Sequence, residues 1–162
     1  MFTLITTMPN KLIFNEKVRD LCRSCKRFGK NASCPPNIES IEHYRKAAKQ
    51  YKAMDIVYKE FSISDYDNIV VAGRKSSFEL YKYLINKRNK LLKEGKIFVT
   101  CYGGGSCKVC KSCMIPCRYP EKSIIPIEAT GVNVFQTLEQ FDIRLPSLVH
   151  KTFFRVGVLL YD

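Results

Sequence analysis

Apolar residues along the chain follow two different periods. From Glu39 to about Lys52, Ile41, Tyr44, Ala47, Ala48 and Tyr51 recur at helical spacing with basic residues between them, which predicts an amphipathic helix. Phe78, Tyr81, Leu84, Ile85, Leu91 and Leu92 keep the same period, with Arg88 the one polar member. Ser76 and Glu79 have capping-box spacing ahead of that stripe, and Gly95 is placed to end the helix. Val134, Phe135, Leu138 and Phe141 suggest a further helix. Short β-prone runs lie between: Ile56-Val57-Tyr58 within Met54–Phe61, Ile97-Phe98-Val99, and Phe153 to Tyr161 at the end. Leu12-Ile13-Phe14 reads as a short strand, with Asn15 as N-cap of a helical turn through Val18 and Leu21. Ile69-Val70-Val71-Ala72 is ambiguous between strand and helix. Cys34-Pro35-Pro36-Asn37 excludes helix and predicts a rigid loop.

Alternation of helices and strands predicts an α+β (α/β-like) single-domain sandwich over residues 1–162, a small mixed sheet flanked by helices. Two cysteine-rich loops project from it. If Ile97–Val99 is a central strand, its C-terminal end is where an open sheet usually places a site.

Composition narrows the function class. Hydrophobic residues at 46% and charged residues at 26% are an ordinary globular balance. No apolar run reaches the ~20 residues of a membrane span. Met1 to Pro9 lacks a basic n-region and a long apolar stretch, so the expected location is cytoplasmic, with no membrane association. In that reducing compartment clustered cysteines read as metal ligands rather than disulfides. The eight cysteines fall into two groups, Cys22, Cys25 and Cys34, then Cys101, Cys107, Cys110, Cys113 and Cys117. His43 and His150 lie outside both groups and read as surface or capping residues.

Cys107-x2-Cys110-x2-Cys113-x3-Cys117 has the spacing of bacterial ferredoxin ligands, without a proline directly after the last cysteine. Two-residue gaps let a curled backbone aim thiolates at separate irons while its amides turn toward sulfur. Cys22-x2-Cys25-x8-Cys34 supplies three more ligands, one short of a cubane. Two pairings stay open. Cys117 joins the first three while Cys101 completes the set of Cys107, Cys110 and Cys113, or Cys107, Cys110, Cys113 and Cys117 stay together and Cys101 completes the N-terminal site or is a buried bystander. Gly103, Gly104 and Gly105 would let backbone amides approach a cluster closely, or form a flexible loop.

Three functions compete. The first is one or two [4Fe–4S] clusters passing single electrons to or from a protein partner. The second is an enzyme built on a three-cysteine cluster with an open iron. The third is a zinc-stabilised nucleic-acid-binding module. The net charge of +12 suits an acidic redox partner or nucleic acid, with nucleic acid the less favoured of the two. Two oxidised clusters with their thiolates would reduce it to about +8.

Cys22-x2-Cys25-Lys26-Arg27-Phe28-Gly29 leading to Ser33-Cys34-Pro35-Pro36-Asn37 resembles a family of predicted metal-binding proteins (domain of unknown function 2284). So does the run from Cys107 to Cys117-Arg118-Tyr119-Pro120, with Glu128-Ala129-x-Gly131-Val132 downstream. A tryptophan often precedes the Ser-Cys-Pro-Pro element in that family, where this chain has Ala32. The resemblance spans most of the chain. It implies an iron–sulfur role and no settled activity.

Overall fold

The computed structural model describes residues 1–145 and 151–162. One five-stranded mixed sheet organises the fold. Its strands are β1 (Thr3–Thr7), β2 (Ala53–Ser62), β3 (Val99–Gly103), β4 (Ile125–Pro126) and β5 (Thr152–Tyr161), in the order β1-β2-β5-β3-β4. β2 and β5 pair antiparallel along their whole length, from Ala53 opposite Tyr161 to Ser62 opposite Thr152. β1 and β3 add antiparallel on either side, and β4 closes the far edge parallel to β3.

Side chains alternate across a strand, so each strand feeds two cores. Met54, Ile56, Tyr102, Val156, Val158 and Leu160 face one way, toward α2 (Ile41–Ala48) and α4 (Val134–Glu139), where Tyr44, Ala48 and Leu138 meet them. Val57, Cys101, Leu159 and Tyr161 face the other way, onto Leu80, Leu84 and Leu91 of α3 (Ile69–Lys93). This is the α+β sandwich expected from the pattern.

Several elements differ in detail from the sequence reading. The ambiguous Ile69–Ala72 is the first turn of α3, capped by Asn68, whose side chain accepts from the amides of Val70 and Val71. Ser76 is therefore a buried mid-helix residue and not a cap. Its hydroxyl accepts a hydrogen bond from Arg155 Nε at 3.0 Å. The buried stripe of α3 runs through Ala72, Ser76, Leu80, Leu84 and Leu91, leaving Phe78 and Leu92 exposed. Leu12–Phe14 makes a single bridge, Phe14 to Val132, instead of a strand. Ile97 and Phe98 precede β3 and are exposed, their amides donating to Asp162 Oδ1. β1 is an additional strand, recruited by pairing with β2.

Asp55 is the polar anchor of the α3 side. Its carboxylate is buried and accepts from Thr6 Oγ1 at 2.7 Å and Tyr161 Oη at 3.0 Å, with Lys87 Nζ 3.6 Å away. Burial, then the nearby Asp55 charge, pushes the Tyr161 hydroxyl up to about 12. Among the described residues, no helix is long and apolar enough to cross a membrane.

Candidate metal centre

The first cysteine loop is built from successive turns. Asn15 caps α1 (Glu16–Asp20) by accepting from the Lys17 amide, and a 3-10 turn, Leu21–Ser24, carries Cys22. The Cys25 amide donates to Cys22 O at 3.0 Å, and the Phe28 amide to Cys25 O at 3.0 Å. Gly29 N–H to Pro35 O at 2.9 Å closes the loop, bringing Cys34 back beside Cys22 and Cys25. Cys34 is buried, Cys22 half-buried and Cys25 exposed. Burial leads in raising the Cys22 thiol, helped by Glu128 and Cys25 and opposed by Arg19. Burial likewise leads in raising Cys34, with Cys25 and Cys22 adding to it while Ser33 and Arg27 oppose it. All three cysteines line one cavity.

The second loop begins where β3 ends. Gly103 O accepts from the Ile127 amide at 2.7 Å and Gly104 O from Ser77 Oγ at 2.9 Å, so the strand end is tied to α3 and to the chain after β4. Gly105 has φ +88, and a Cβ there would stand 3.1 Å from Ser77 Oγ. Only glycine takes both without strain. Of the three glycines proposed to contact a cofactor, Gly104 and Gly105 line a large cavity. Gly103 completes β3. Cys107, Cys110, Cys113 and Cys117 follow, all half-buried. Ser123 Oγ donates to Cys107 Sγ at 3.8 Å.

The two loops meet. The Ala32 amide, from the turn before Cys34, donates to Cys113 Sγ at 3.3 Å. Lys108, between Cys107 and Cys110, is lowered chiefly by burial and also by Arg27 of the first loop and by Arg155. Arg19 opposes the rise at Cys22 and Arg27 the rise at Cys34, so both would offset the charge of an anionic centre held there. Arg27 N–H also points to Cys25 Sγ at 3.5 Å. Amide-to-sulfur bonds of this kind are the outer contacts that hold and tune a thiolate-bound metal.

Cys101 does not join them. It sits in the core under α3, opposite Leu159 in the sheet, and its thiol donates to Leu84 O at 3.9 Å. Burial pushes this thiol up to about 12. β3 alternation points it into the α3 core. Among the described residues, no three His, Cys, Asp or Glu side chains stand together as the donor set of a single metal ion. The donor chemistry still suits a metal, with soft sulfur ligands in two apposed loops, amides on sulfur, and surrounding cations. His43 lies on α2, its amide bonded to the capping Ser40. His150 lies outside the described residues.

Two residues not singled out by sequence complete the site. A cavity of about 750 Å³ is lined by Cys22, Cys25 and Cys34 together with Glu128, Arg155 and apolar side chains including Phe135 and Phe153. Glu128 opens a 3-10 turn ended by Gly131, at φ +87, where a Cβ would clash with Ile41 at 2.8 Å. Burial raises the Glu128 carboxyl, against its own amide, Arg155 and the Gly105 amide. Arg155 reaches the cavity from β5 and is steadied by Ser76 Oγ and by Gly73 O at 2.9 Å. The only sequence signal for Glu128 was its place in the Glu128-Ala129-x-Gly131-Val132 element. Arg155 had none, because alternation in β5 does not reveal which face meets the loops.

The family model described as predicted metal-binding protein (DUF2284) matches residues 6–161 of the chain. No curated protein and no solved structure matches it.

Proposed function

We infer that this chain, which belongs to the DUF2284 family of predicted metal-binding proteins, is an iron–sulfur protein whose two loops hold [4Fe–4S] clusters. The observation that carries this reading is the apposition of the loops through the Ala32 amide and Cys113 Sγ. Cys107, Cys110, Cys113 and Cys117 would supply the four thiolates of one cluster. Cys22, Cys25 and Cys34 would supply three to a second. Such clusters accept and return single electrons. The protein's own residues fix the sulfurs through turn hydrogen bonds, offset their charge with Arg19, Arg27 and Lys108, and cover the centres with loop backbone. The net charge of +12 supports an acidic protein as the redox partner.

A second reading, an enzyme with one iron open to substrate, is favoured by the cavity that the three N-terminal cysteines line. Anaerobic reconstitution with iron and sulfide tests the main reading. The expected result is a brown protein whose visible absorption bleaches on reduction, with an EPR signal from the reduced clusters. A colourless protein that takes up zinc and rejects iron and sulfide would overturn it.

A further inference from the structure

The second cysteine loop turns large apolar side chains to solvent. Met114 and Ile115, between Cys113 and Cys117, are exposed, and so is Tyr119 just beyond. Side chains of this kind massed together, rather than scattered singly, mark an interaction site. α3 extends the same face. Tyr81 Oη donates to Lys122 O at 3.4 Å, and Arg88 Nη1 to Glu121 O at 2.7 Å. Phe78 is exposed and stacks on Tyr81, with ring centroids 6.4 Å apart. Tyr81 and Cys107 line one crevice, so helix and loop aromatics flank the cysteine run.

Cations border this apolar ground. Lys82 Nζ lies 4.7 Å from the centroid of the Phe78 ring, and Lys122 Nζ 5.4 Å from that of Tyr119. Lys111 and Arg118 are exposed on the loop itself. Among the described residues, no ion pair takes up Lys82, Lys111, Arg118 or Lys122. Glu121 is the one carboxylate between Cys107 and Ser123. The basic face of α2 is different: Glu42 pairs with both Arg45 and Lys46 there, and that helix exposes no large apolar side chain. An aromatic and apolar centre with uncompensated cations at its rim suits a partner of opposite charge. We propose that the second cysteine loop and the adjoining face of α3 dock an acidic one-electron carrier protein. Phe78, Met114, Ile115 and Tyr119 form the centre of the contact, and Lys82, Lys111, Arg118 and Lys122 its rim.

The proposal rests on the iron–sulfur reading and gives the electron its way in and out. Met114 and Ile115 are flanked by cysteines of the ligand run, so a carrier seated on them lies against the loop that holds those sulfurs. One electron passes between loop and carrier, oxidising one by the single electron that reduces the other, and no bond forms or breaks. The lysines steer the encounter, and salt weakens that steering. The apolar centre holds the pair once water is excluded from it.

Flavodoxin, an acidic one-electron carrier, is the probe, and the chain is used after anaerobic reconstitution. Carbodiimide joins lysines to carboxylates in contact, so mass mapping of the cross-links reads the docking face without any activity. Cross-links at Lys82, Lys111 and Lys122 are expected. K82E/K111E/K122E should keep its iron and sulfide, associate with flavodoxin roughly a hundredfold more slowly at low salt, and lose most of the salt dependence. K46E/K49E/K52E, which lowers the net charge equally on α2 and the turn after it, should stay within about threefold of wild type. Equal slowing in the two variants, or cross-links gathered on Lys46, Lys49 and Lys52, would overturn the assignment while leaving the clusters standing. Salt-dependent binding of single-stranded DNA that K82E/K111E/K122E abolishes, with flavodoxin association unmoved, would also overturn it. A wild type without iron and sulfide would instead bring down the iron–sulfur reading, and this proposal with it. Should K82E/K111E/K122E fail to fold, the cross-links on wild type decide.

Discussion

Cys101 and Cys107 are near neighbours in sequence and live in different environments. Cys101 belongs to a strand and is fixed by the sheet, with α3 packed over it and its thiol given to a helix carbonyl. Cys107 and the cysteines after it hang on a segment with little regular structure, positioned by turns and by contact with the other loop. Around Cys101 the α3 core buries apolar side chains and satisfies the buried Asp55 carboxylate. The cavity beside the first loop assembles sulfur, arginines and the Glu128 side chain around open space. The same residue type is thus a core hydrophobe on one side and a ligand candidate on the other, and secondary structure decides which.

The contrast is sharpest in thiol chemistry. Thiolate is the reactive form, and burial raises the Cys101 thiol to about 12. In metal-free folded protein near pH 8, Cys101 should alkylate about a thousandfold more slowly than exposed Cys25. Its rate should climb with pH toward the raised value, because the thiolate appears only as pH approaches it. Mass mapping of alkylated peptides over time reads this directly, and equal rates would break the contrast.

Stability should respond on one side far more than on the other. Asp55→Ala strips the partner from Tyr161, Thr6 and Lys87 and should cost about 3 kcal/mol. Leu84→Ala, in the α3 core, should cost roughly 2–5 kcal/mol. Denaturant unfolding of the metal-free protein checks both. Replacing Cys107, Cys110 and Cys113 together by serine should leave that unfolding curve nearly unmoved while bound iron falls by about half. The smallest effect belongs to Cys101→Ala, with iron content unchanged and a stability loss of roughly 1 kcal/mol. A large iron loss there would return Cys101 to the ligand set.

The sheet and its helices were legible because period-2 and period-3.6 patterns survive wherever a face is buried. Legibility failed where tertiary contact overrode local signals. Ser76 and Glu79 have capping spacing, yet Asn68 caps the helix, because Ser76 is needed under Arg155. Phe78 and Leu92 fit the helical stripe but lie at its solvent edge. Thr3–Thr7 becomes a strand only because β2 offers an edge to pair with. For the site, cysteine spacing found both loops, and their meeting needed the fold. Cys101 could be sorted only by knowing which face of β3 it occupies. Glu128 is a lone carboxylate in a short turn, and no spacing rule links it to Cys22, Cys25 and Cys34 far earlier in the chain.

Metal analysis of the chain purified without oxygen bears most directly on the claim that the loops hold clusters. The account predicts about eight irons and eight acid-labile sulfides per chain, with little zinc. Stoichiometric zinc without sulfide, or no bound metal at all, would contradict it.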